Sequence, residues 1–173
     1  MAFSVGDIVE VSSKQEGFYG SYFEAKVIAK LHSTKSYVVE YKNLVEEDWL
    51  EPLREVVPAK EVRPSPPEFP VIDFKLGDWV DAFDNDGWWV GKISGMNVDE
   101  GKYFVYFDHF NVGIVYDEGL IRMHQEWKNG KWCLRSCIKF NVVHNTVIIT
   151  YLQQTSSTNL SCLFRTTLHN TVF

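Results

Sequence analysis

Five histidines, three cysteines and a short acidic run are the first places to look for reactive chemistry in this 173-residue sequence. His32, His109, His124, His144 and His169 are scattered, and none stands in a nucleophile, phosphate or metal motif. Asp84-Asn85-Asp86-Gly87 is similar to the middle of a calcium loop. Setting Gly87 at the obligatory turn position, however, puts Ala82 at the first ligand place and Ile93 where a bidentate Glu belongs. Cys133 and Cys137 have weak metal spacing with no second Cys or His pair at finger distance. With Cys162 the cysteines are odd in number and late in the chain, so no disulfide framework is expected either. No catalytic site, metal site, cofactor or small-molecule substrate is predicted.

What remains is aromatic and acidic. The chain holds 6 Trp, 8 Tyr and 12 Phe, an aromatic share of 15% that a small core does not require. All 23 Asp and Glu lie at or before Glu126 with 12 of the 17 Lys and Arg, so that stretch carries a net charge of −11 and the rest +5. Such a surface repels a phosphate backbone and attracts basic partners. The opening residues lack a signal-peptide pattern and no segment is apolar enough to span a bilayer, so a soluble protein away from membranes is expected.

The elements that must position these side chains come in two copies. Phe3-Ser-Val-Gly6-Asp7-Ile-Val-Glu-Val11 is answered by Phe74-Lys-Leu-Gly77-Asp78-Trp-Val-Asp-Ala82, an offset of 71 residues. In the same order, Tyr22-Phe23-Glu-Ala-Lys-Val27 matches Trp88-Trp89-Val-Gly-Lys-Ile93, Ser36-Tyr37 to Tyr41 matches Lys102-Tyr103 to Phe107, and Val62-Arg63-Pro64 matches Ile121-Arg122-Met123. Each copy reads as short alternating strands rich in β-branched and aromatic residues, separated by turn signals such as Asn85-Asp86-Gly87 and Asp99-Glu100-Gly101, where Gly is expected to supply positive φ. Only Glu51 to Lys60 suggests a helical turn. About 60 residues per copy cannot support a large open sheet, so the prediction is an all-β protein of two small, strongly bent antiparallel barrels in tandem. The first spans residues 3–64, a Pro-rich stiff linker 65–73, the second barrel 74–132, and an irregular tail 133–173.

These motifs resemble the Agenet family of plant Tudor-like (SH3-like, Royal family) domains. The resemblance rests on Gly6-Asp7-Ile8-Val9-Glu10-Val11-Ser12-Ser13, the aromatic pair before Ala25-Lys26-Val27, Glu51-Pro52-Leu53-Arg54, and in the second copy Asp81 to Gly91 with Glu126-Trp127. It covers roughly residues 3–132 and implies a nuclear, non-enzymatic, chromatin-associated protein that reads methylated lysine on histone tails or other basic peptides. A methylammonium keeps its charge, loses donors and gains apolar surface, so its receptor is a box of aromatic faces beside a carboxylate. Carried over by position, the binding residues are Phe23 and Tyr41 in the first copy, with Phe18, Tyr22 and Trp49 nearby, and Phe83, Trp89, Phe107 and Phe110 with Trp88 in the second. Glu16 or Asp48 and Asp84 or Asp86 would form an acidic rim. Ser13 and Leu44 stand where such cages often place aromatics, so the second copy is the better furnished. Two other readings stay open: an adaptor indifferent to methylation, and an RNA-binding module, which needs a basic patch. After Trp132 acidic residues cease, and the tail is expected to be disordered, an added strand or the product of an unspliced gene.

Overall fold

A computed structural model of the chain describes residues 2–46, 50–68 and 74–135, and beyond them the backbone of 139–143, 146–150 and 167–169. Strands β1 (Ile8–Ser13), β2 (Ser21–Leu31), β3 (Ser36–Val45), β4 (Pro52–Pro58) and β5 (Val62–Pro64) form the first barrel, with a 3-10 turn at Ala59–Glu61. Strands β6 (Trp79–Asp84), β7 (Gly87–Asn97), β8 (Lys102–Phe107), β9 (Val112–Asp117) and β10 (Ile121–Met123) form the second. Both are antiparallel with the same spatial order, β4-β3-β2-β1-β5 and β9-β8-β7-β6-β10. A hairpin, β11 (Gln125–Lys128) and β12 (Lys131–Leu134), follows.

The repeated Gly-Asp has a backbone reason. Gly6 (φ 94°) and Gly77 (φ 87°) turn the chain in the left-handed region and donate to the carbonyls of Val27 and Ile93, each at 2.8 Å. Asp7 and Asp78 then accept from the amides of Ser4 (2.9 Å) and Lys75 (2.8 Å), closing the same turn twice. The long second strand of each copy breaks register at one place, between Val27 and Ala29 and between Ile93 and Gly95. That irregularity bends the strand so that one end pairs with β1 or β6 and the other with β3 or β8. Val9, Val27 and Val39 are fully buried in one core and Val80, Ile93 and Val105 in the other. Each such side chain is worth about 1.5–3 kcal/mol on burial.

Two local expectations are corrected. Most of Glu51 to Lys60 is extended, because Val56-Val57 between prolines suits β4, which pairs with β3, and the helical turn is confined to the 3-10 turn that begins at Ala59. In the Asn85-Asp86-Gly87 turn the positive φ falls on Asn85 (43°) and Asp86 (61°), while Gly87 already belongs to β7. A Cβ on Gly87 would lie 2.6 Å from Phe23 Cε1, so glycine is needed there for close approach of the first barrel. Beyond the hairpin, the expected irregular tail contains a three-stranded antiparallel sheet, β13 (Lys139–Val143), β14 (Thr146–Thr150) and β15 (Thr167–His169), in keeping with its β-branched runs.

The two barrels are one continuous sheet. β2 pairs with β7 antiparallel, Tyr22 opposite Trp88 and Ser21 opposite Trp89. Tyr22 and Trp88 are equivalent residues of the two copies, so the contact has pseudo-twofold symmetry. Equivalent charges cross the same axis. Arg63 donates from Nε (2.9 Å) and Nη2 (2.7 Å) to Glu10, and Arg122 donates from Nε to Asp81 (3.1 Å) while its Nη1 lies 2.8 Å from the other Glu10 oxygen. Arg63 stacks 3.2 Å over Tyr22 and Arg122 4.0 Å over Trp88. His124 Nδ1 lies 2.5 Å from Asp81, and the Gln125 carbonyl accepts from Arg63 Nη1 at 2.7 Å, so the chain entering the hairpin caps this cluster. Glu10, Arg63, Asp81 and His124 are each 5% exposed or less. A buried cluster of this kind adds little net stability over apolar packing, but it joins charged side chains of both barrels and leaves a buried charge unpaired in any mismatched arrangement.

Candidate functional site

The pseudo-symmetric layout gives the two barrels a pocket at equivalent places, and the two differ in chemistry, while a further pocket lies between the first barrel and the hairpin. On the second, Trp89, Phe107, Phe110 and Tyr116 line a cavity of about 330 Å³ with Asp84, Asn85, Val112, Ile114 and, from the first barrel, Gly17. Trp89 is held by its indole N–H, which donates to the Asp84 carbonyl at 2.7 Å. Phe107 sits edge to face with Tyr116, centroids 6.1 Å apart, and Phe110 with Trp89 at 5.7 Å. The Tyr116 hydroxyl donates to Asp84 Oδ2 at 2.8 Å. Burial first, then that hydrogen bond and the Asp84 charge, push the Tyr116 hydroxyl well above its ordinary value, so it remains a donor. Among the described residues no Lys or Arg lines the cavity.

The first barrel also reaches the margin of this cavity. Phe18, 45% exposed, stacks against Trp89 with centroids 6.2 Å apart and planes at 29°. Its loop turns through Gly17 (φ 85°) and Gly20 (φ 82°) and is pinned to the second barrel by the Val90 amide donating to the Gly20 carbonyl and by Tyr19 against His109. On the first barrel the corresponding basin, about 620 Å³, is lined by Tyr41 as its one aromatic among the described residues, with Ser12, Ser13, Lys14, Gln15, Arg54 and Glu55 among the rest. Tyr41 is buried and its hydroxyl donates to Glu55 at 2.7 Å. The equivalents of Asp84 and Tyr116 there are Ser13 and Val57.

This tandem arrangement has counterparts among known proteins. The family model of the Agenet domain matches residues 6–67. The chain is 43% identical over 133 residues to the Agenet domain (AGD)-containing protein P1 of Arabidopsis thaliana, a match that covers 76% of this chain and 25% of that protein. It is 37% identical over 133 residues to DUF724 domain-containing protein 6 of the same plant, covering 73% and 18%. The crystal structure of Arabidopsis AGDP1 AGD34 matches with a TM-score of 0.72 at 41% identity, over 76% of this chain and 89% of that one. That of the ADCP1 tandem Agenet domain 3-4 matches at 0.68 and 38% identity, over 76% and 87%. The chain belongs to the plant Agenet family. It spans a quarter or less of the length of the two curated relatives. Agenet domains are protein-interaction modules of the Tudor-like type.

Within this Agenet pair, the residues singled out from sequence part company. Trp89, Phe107, Phe110 and Asp84 converge on the second-barrel cavity, with Phe18 at its margin. Phe23 is a core residue of the first barrel, touching Phe18, Tyr41 and Trp89 edge on. Tyr22 and Trp88 lie at the barrel junction with their faces already occupied by Arg63 and Arg122, and Phe83 packs on Trp88 at 5.1 Å. Glu16 and Asp86 are exposed and line none of these cavities. Trp49 and Asp48 lie outside the described residues. Tyr116, Val112 and Ile114 were not anticipated. The signal was available in the apolar alternation of Val112, Ile114 and Tyr116, which places all three on one face of a strand.

Proposed function

We propose that this Agenet pair is a nuclear, chromatin-associated reader whose second-barrel pocket receives a methylated lysine from a basic, histone-type peptide. The observation that carries the reading is the convergence of Trp89, Phe107, Phe110 and Tyr116 with Asp84 around one open cavity. Aromatic faces offer negative potential to a methylammonium without asking for hydrogen bonds it can no longer donate, and Asp84 balances its charge. The aromatic contact is worth about 0.5–2 kcal/mol, a factor of roughly 2–30 in affinity. The acidic surface of the first 126 residues acts on flanking Arg and Lys, chiefly through association rate and register.

The test is a calorimetric titration of the chain with histone H3 peptides that differ only in methylation of one lysine, repeated with Phe110→Ala. Phe110 is 42% exposed, so its removal leaves the cores intact. The expected result is methylation-dependent binding that weakens in the variant. Equal affinity for modified and unmodified peptides would refute the reading in favour of an adaptor.

A further inference from the structure

The outer strands of the two barrels are equivalent in place and opposite in character. β4 begins and ends with proline, carries Arg54 and Glu55, and loses register with β3 between Glu40 and Val45. These are the devices by which a free sheet edge resists another strand. β9 has none of them before its last residue, Asp117, which is paired with Lys102 of β8. Residues 112–116 read Val-Gly-Ile-Val-Tyr with no charge, no proline and unbroken register with β8, and β9 pairs with no other strand among the described residues. Val112, Ile114 and Val115 are 40%, 38% and 47% exposed. A bare apolar edge is a liability that demands a use.

Its position supplies one. Val112, Ile114 and Tyr116 are alternate residues of β9 and all line the aromatic cavity, so the open edge runs along the cavity wall. We propose that β9 is the docking edge for the ligand peptide, which adds to it as an extended strand and delivers its modified lysine sideways into the pocket. This rests on the reader function proposed above. Main-chain hydrogen bonds to β9 then provide affinity without regard to side chains, and the cavity selects every second side chain on its own face. The residue two positions from the modified lysine lies over Val112 or Ile114, which favours a small apolar side chain there. The net −11 charge of the first 126 residues favours a basic peptide over a second copy of the chain as the occupant.

The experiment is an affinity scan of the full chain with a set of methyl-lysine H3 peptides, each carrying one N-methylated backbone amide near the modified lysine. In an added strand alternate amides face the sheet edge. The expected result is therefore a period of two, with losses of tenfold or more at alternate positions and little change between them. A flat profile with methylation-dependent binding retained would overturn strand addition while leaving the pocket reading intact. Loss of methylation dependence in the unmodified-backbone parents would overturn both. Sedimentation of the chain alone supplies the competing outcome: self-association abolished by Val115→Lys and reversed by peptide would assign the edge to a second copy.

Discussion

Replacing Asp81 by Asn removes one charge from the junction while keeping the side chain's size. Asp81 is 1% exposed and faces Arg122 at 3.1 Å, Arg63 at 3.8 Å and His124 at 2.5 Å. The two carboxylates Glu10 and Asp81 balance the two guanidiniums, and in the variant Glu10 alone faces both. Leaving a buried charge uncompensated costs about 3–5 kcal/mol, a large share of the roughly 5–15 kcal/mol that holds a domain folded. For a chain of this size each kcal/mol moves the thermal midpoint by roughly 2–4 °C, so a fall on the order of 6–20 °C is expected. Urea unfolding followed by tryptophan fluorescence reads the change, since Trp79, Trp88 and Trp132 surround the cluster. Pairing the substitution with Arg122→Met restores one carboxylate to one guanidinium. The double variant is therefore expected to lose less than the sum of the two single losses, by about 0.5–3 kcal/mol. A stability for Asp81→Asn within about 1 kcal/mol of the parent, or strictly additive costs, would refute the argument that this cluster holds the barrels in register.

Three other outcomes follow from the same geometry. Burial alone would raise the Asp81 carboxyl, but the hydrogen bond and charge of His124, with Arg122 and Arg63, hold it below its ordinary value of 3.8. Its contribution is therefore whole above that value and lost as pH falls through the lower folded one, so an acid titration by circular dichroism should show a shallower loss in Asp81→Asn than in the parent. Gly87→Ala drives a methyl group into Phe23 and should cost about 1–3 kcal/mol, measured as a lower urea midpoint and partly recovered by Phe23→Leu. Tyr116→Phe frees Asp84 of its hydroxyl partner while keeping the ring. Methyl-peptide affinity is expected to change less than in Phe110→Ala, and a larger loss would mean that the hydroxyl, rather than the aromatic face, carries the contact.

The duplication was legible because its repeated residues answer backbone demands: a left-handed glycine, an aspartate closing the turn, alternating apolar strands. Side-chain direction was harder. Tyr22-Phe23 and Trp88-Trp89 are aromatic at both positions, so alternation alone cannot say which ring enters a core and which turns to the junction. The structure sends Phe23 inward and Tyr22 beneath Arg63. Arg63 and Arg122 were visible as matched residues, but a buried arginine is intelligible only with its partners, and those come from the other copy. Tyr116 escaped because β9 lies outside the four matched blocks and its counterpart is Val57. The rim acids drawn from turns, Glu16 and Asp86, project into solvent, as short polar turn residues commonly do.

Because Tyr22 meets Trp88, its own counterpart, across the junction, the surface that each half shows to the other is nearly complementary to itself. A single half expressed alone would carry an unmet strand edge beside an arginine and a carboxylate, and two identical halves could satisfy one another in the manner of a symmetric homodimer. Dissection at the linker therefore changes what is being measured. An isolated half is expected to self-associate through this edge, and its binding would then be that of a dimer with two like pockets, whereas the intact chain joins unlike ones.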